Sequence, residues 1–182
     1  MGDLNQKEKT EHHDAQPPDS GAGLVEVVEI DVEIEFEDRD EPMGLAVVVD
    51  ERFHETVRAR IGASEDVHLF EHGHDEPLSG PPHARKAIRL VAHRCRLVTL
   101  HARYEHLTIE HTFAPAATVF KGLQWAVSKK GFNLDPVAAA KANLILPGAD
   151  APLPREAALG KFVKPGHCKL VVDLTLKDFS NG

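Results

Sequence analysis

The chain has 182 residues and a formal net charge of −8; 42% of its residues are hydrophobic but only 5% are aromatic. That length holds one medium domain or two small ones, with cores built mainly of Val, Leu, Ile and Ala. The negative charge argues against nucleic acid or an anionic membrane as the main partner, and no run reaches the roughly 18 apolar residues of a membrane span, so a cytoplasmic protein is expected.

Residues 1–23, "MGDLNQKEKTEHHDAQPPDSGAG", are polar and almost free of large apolar side chains. Such a stretch cannot offset the entropy of ordering and is expected to be a disordered tail, with His12 and His13 solvated within it. Order is expected from "VEVVEIDVEIEFE", where Val28, Ile30, Val32, Ile34 and Phe36 alternate with acidic residues, the period of a strand with one wet face. "DRDEP" reads as a turn and "MGLAVVVD" as a second strand. Asp50 is placed to cap a helix, "ERFHETVRARIG", in which Phe53, Val57 and Ile61 recur every four residues and Gly62 stops the run. A short strand "DVHLFE", the turn-rich "HGHDEPLSGPP" and a strand "RKAIRLVAH" complete a first unit over residues 24–93.

The same order returns over residues 94–177. "RLVTLHARY" and "LTIEHTF" read as a hairpin joined by "EH". Pro115 and Thr118 open the helix "VFKGLQWAVSKKG", in which Val119, Phe120, Leu123, Ala126 and Val127 fall on one face. "KANLILPG" is a short strand, "ADAPLPREAALGKFVKPG" an irregular segment and "CKLVVDLTL" a final strand. This is a structural repeat without obvious residue identity. A hairpin, one covering helix and later strands on the same sheet make an α+β unit in which the first and last strands lie parallel. The joint "HRC" is too short for a loose linker, so the two units are expected to touch.

Several residues invite a chemical reading. Cys95 and Cys168 are too few for a disulfide framework or a structural zinc site, and both are expected to be reduced and half-buried at strand starts. His72 and His74, with Glu71 and Asp75 nearby, offer metal-ligand types, but a solvated turn explains them better. Asp50, Glu51, His54 and Glu55 read as a solvated helix face rather than acid–base machinery. No nucleophile elbow, phosphate loop, metalloprotease helix or kinase signature occurs, so no enzyme, metal or cofactor is expected. Trp125, the only tryptophan, lies off the apolar stripe of its helix. It either fills the contact between the units, the plainer reading, or forms a partner hot spot.

The element order resembles the ubiquitin-like β-grasp fold. "FAPAATVFKGLQWAV" stands where such proteins carry a strand end, a Pro-containing turn and a Thr-capped helix, and "LFEHGHDEPLSG" resembles their strand, Gly turn and Leu strand. Two such units, almost directly joined and followed by residues 178–182 as a flexible tail, resemble the tandem ubiquitin-like modifiers: the interferon-induced eukaryotic one and, more closely, that of bacterial Bil-type anti-phage operons. The resemblance implies that the Gly182 carboxylate is the conjugation and thioester site. Phe179, Ser180 and Asn181 would be read by partner enzymes, although Asn181 stands where the family usually has a second glycine. Phe179 either packs back on the domain or anchors the tail in a partner's groove. The resemblance further implies a ubiquitin-activating-like enzyme that consumes ATP, a ubiquitin-conjugating-like enzyme, a JAB-type metal-dependent deconjugating peptidase, and phage virion components as targets. The alternatives are a tandem ubiquitin-like adaptor that is never conjugated, and a sulfur carrier.

Overall fold

The computed structural model describes residues 27–83, 85–177 and 179; the expected tail over residues 1–23, with His12 and His13, lies outside them. The first unit begins with β1 (Glu29–Phe36), whose Ile30, Val32, Ile34 and Phe36 are buried while Glu29, Asp31 and Glu33 face out. It pairs antiparallel with β2 (Met43–Val48). Helix α1 (Phe53–Ile61) buries Phe53, Val57 and Ile61 against the inner face. Its end is closed by Gly62 at φ 72°, with the Ala63 N–H donating to the Arg58 carbonyl at 2.9 Å, a paired closure that a left-handed residue makes possible. Asp50 does not cap this helix. Its carboxylate accepts from the Arg52 N–H at 2.9 Å, forming a side-chain turn one step before the first helical turn. β3 (His68–Glu71) and β4 (Ala87–His93) complete a sheet of order β2-β1-β4-β3, with β1 and β4 parallel. Parallel neighbours require a crossover, which α1 and its flanking loops supply.

The second unit repeats this plan. β5 (Val98–Tyr104) and β6 (Leu107–Phe113) form a hairpin across the two-residue turn Glu105–His106, where Glu105 takes φ 53°. Helix α2 (Val119–Val127) starts at Thr118, whose hydroxyl accepts from the Lys121 N–H at 3.2 Å. Val119, Gly122, Leu123 and Ala126 face the core. Phe120, expected on that face, is instead 39% exposed, with the Arg155 guanidinium 5.9 Å from its ring centre. A short helix absent from the sequence reading follows, α3 (Pro136–Lys141). Asp135 accepts from the Val137 and Ala138 N–H groups, and Pro136 opens the first turn. β7 (Asn143–Ile145), a 3-10 turn at Leu159–Phe162 and β8 (Lys169–Thr175) finish a sheet of order β6-β5-β8-β7, with β5 and β8 parallel. Two mixed sheets, each packed against helices in a β-grasp-like topology, thus follow one another in the chain.

The cysteines depart from expectation. Cys95 and Cys168, 73 positions apart in sequence, are joined as a disulfide with Cα atoms 5.6 Å apart. They precede β5 and β8, which are hydrogen-bonded neighbours, and the Thr99 N–H donates to the Cys168 carbonyl at 2.8 Å. The parallel pairing brings the two strand starts together, a proximity invisible in residue spacing.

Candidate functional site

The geometry of the second unit is organised around the exit of β8. Leu170, Val172 and Leu174 point into the core, while Lys169, Val171, Asp173 and Thr175 alternate on the opposite face. Asp173 is held by Arg103 through two hydrogen bonds of 2.6 and 2.9 Å. Beyond the strand, Leu176 packs on the core and the Lys177 N–H donates to the Thr175 hydroxyl at 3.1 Å. The Phe179 ring is half-buried, with the Lys177 ammonium 5.4 Å from its centre. Ser180, Asn181 and Gly182 lie outside the described residues.

Trp125 is not part of the contact between the units. Its indole stacks on His111 with ring centres 5.3 Å apart and meets Phe113 edge-on at 5.9 Å, so it covers β6 of its own unit. The contact between units is built elsewhere, on the outer face of the first sheet. There Phe70 and Val91 meet Ala114, Ala116 and Ala158 in a small buried cluster. The turn holding His72 and His74 serves this joint: the Gly73 N–H donates to the Ala116 carbonyl at 2.8 Å, and Asp75 pairs with Lys121. Among the described residues no group of three or more His, Cys, Asp or Glu could hold a metal ion, and no helix is long and apolar enough to cross a membrane.

The end of β4 and the residue after β1 also bring buried ionisable side chains to the joint, which the sequence reading missed. His93 is 1% exposed, and its Nδ1 accepts from the Cys95 N–H at 2.9 Å. The Glu37 side chain is fully buried and accepts from the Arg94 N–H at 2.7 Å. Gly160 lies against this corner so closely that a β-carbon on it would stand 2.9 Å from Pro115 Cβ and 3.0 Å from His93 Cδ2. Burial pushes the His93 imidazole below its ordinary range, more than Glu37 nearby pulls it back. Desolvation also lowers His54, which lies beside the Gly80 carbonyl.

A histidine held neutral in the fold binds fewer protons than in the unfolded chain. Stability therefore falls as pH drops through the unfolded value of about 6.5, and keeps falling until the folded value is passed. The thermal midpoint is expected to be lower at pH 5 than at pH 7, and His93→Gln should flatten that difference. A midpoint that rises on acidification contradicts this reading.

Against known proteins, no curated protein matches the chain. Residues 98–177, from the first residue of β5 to the second residue after β8, match the family model described as BilA ubiquitin-like domain 2. The second unit is accordingly a ubiquitin-like domain of the BilA kind.

Proposed function

We propose that this chain is a tandem ubiquitin-like protein modifier, activated and conjugated through Gly182. One observation supports the reading above others: the BilA ubiquitin-like domain spans residues 98–177, so the residues after Lys177 are those through which it would offer an acyl group. A ubiquitin-like domain acts by being bound, and nothing in that role requires a catalytic group of its own.

The chemistry is carried by partners. The Gly182 carboxylate attacks the α-phosphorus of ATP on an activating enzyme, giving an acyl adenylate and pyrophosphate. An enzyme thiolate displaces AMP to form a thioester, which passes by exchange to the conjugating enzyme's cysteine. A target lysine amine then displaces that thiol and leaves an amide, which a metal-dependent peptidase hydrolyses to the free lysine amine and the Gly182 carboxylate. Glycine suits this site because it has no Cβ and wide φ freedom in a narrow channel. Asn181 is small enough to follow, but a channel selective for two glycines would turn it away. Virion components of an infecting phage are the proposed targets.

The test is to incubate the chain and ATP with a ubiquitin-activating-like and a ubiquitin-conjugating-like enzyme, taken from its neighbouring genes where these encode them. A thiol-sensitive adduct is expected, and it should vanish on deletion of Gly182. An adduct that forms equally well without Gly182 contradicts the tail chemistry. No adduct, with partner binding unchanged by the deletion, supports a non-conjugated adaptor instead.

A further inference from the structure

The second unit holds a groove of about 560 Å³ between the end of β7, the 3-10 turn and the start of β8. A space of that size accommodates several side chains. Leu146, Phe162 and Val171 form its apolar walls over the buried Leu170, and its ionisable residues are Lys164, His167 and Lys169. No carboxylate lines it, in a chain whose net charge is −8.

Local structure explains why three basic side chains gather there. In Lys164-Pro165-Gly166-His167 the His167 N–H donates to the Lys164 carbonyl at 3.0 Å, and Gly166 takes φ 77°. This is a tight turn with proline at its second position and a left-handed glycine at its third, which sets Lys164 beside His167. Lys169 lies on the outer face of β8 with Val171, two residues on. The Cys95–Cys168 bond fixes the segment between them. Among the described residues, none of the three basic side chains enters an ion pair, whereas Arg103 on the same sheet, and Arg89 and Arg94 of the first unit and its joint, are engaged by carboxylates.

We propose that this groove docks an extended acidic peptide segment of a partner protein, with apolar side chains on the floor and carboxylates at Lys164, His167 and Lys169. Charge complementarity selects the acidic character, and the apolar walls favour a peptide over nucleic acid. The site is independent of the tail chemistry. From Val171, the last lining residue on the strand, to Thr175 the strand runs about 13 Å, so an occupant of the groove ends short of the strand exit.

The test uses the full chain and a fluorescein-labelled peptide of two leucines flanked on each side by glutamates, read by anisotropy and by amide shifts in NMR. Shifts are expected to concentrate at residues 146–147 and 164–171. Affinity should fall roughly tenfold in the Lys164→Glu/Lys169→Glu variant, and should be unchanged in Lys130→Glu. It should also fall when the peptide's leucines become serines. The proposal is overturned if a lysine-flanked peptide binds as well, if the serine peptide binds as well, if the shifts lie outside the groove, or if an oligothymidine occupies the same amides as tightly.

Discussion

Reduction of the Cys95–Cys168 bond is expected to lower the stability of the second unit by about 4 kcal/mol. The bond closes a loop over a 73-residue separation, and a cross-link of that span removes about this much chain entropy from the unfolded state. A small domain has a net stability of about 5–15 kcal/mol, so the loss would take the unit close to its threshold. For a unit of this size it corresponds to a fall in thermal midpoint of roughly 15–30 °C. Calorimetry with and without a phosphine reductant measures this directly, and Cys95→Ser should reproduce the reduced value and make the protein insensitive to reductant. A shift under about 3 °C contradicts the prediction. In a thiol-reducing cytoplasm the same bond would make the second unit's stability depend on its redox surroundings.

The second large effect concerns the joint. Leu69 and Phe70 are consecutive in β3 and point to opposite faces, Leu69 into the core of the first unit and Phe70 into the cluster shared with the second. Phe70 is completely buried although it lies on what an isolated unit would present to water. Phe70→Ala is expected to cost about 3–5 kcal/mol, the usual range for a buried phenylalanine, and to do so without opening either core. The measurable outcome is a change in cooperativity: one thermal transition in the parent chain, two in the variant, with faster proteolysis between His93 and Val98. Leu69→Ala should instead lower the first unit alone. A Phe70→Ala protein that still melts in one transition at the parent midpoint would show that the units are not coupled through this contact.

These residues also show what could be read from the sequence. Alternation in β1 and the Phe53/Val57/Ile61 spacing are local patterns, and both gave the right element and buried face. Thr118 worked as a cap because capping chemistry is local too. Asp135 and Pro136 carried an equally good start signal, but only six helical residues follow, too short a run to show a periodic apolar face. What the sequence hid depends on contacts between distant segments. The alternation in β4 puts Arg89, Val91 and His93 on one face; nothing local says that Arg89 stays wet while Val91 and His93 are covered by the second unit. Trp125 was legible as lying off the main helical stripe, but its partner, His111, becomes a neighbour only through the fold. The basic groove is intermediate: the "KPGH" turn and the Lys169/Val171 alternation are visible in the chain, whereas Leu146 and Phe162 join them only in three dimensions.

Conjugation through Gly182, as proposed, leaves a mark that mass spectrometry can read on covalent adducts purified from phage-challenged cells that carry the chain with its neighbouring genes. Trypsin cuts after Lys177, so a target lysine modified through Gly182 retains the branch Asp178-Phe179-Ser180-Asn181-Gly182 on its ε-amine. That branch is expected on phage virion lysines and should be lost when Gly182 is deleted. Adducts whose branch ends at another residue, or partners recovered only without any covalent branch, would contradict it.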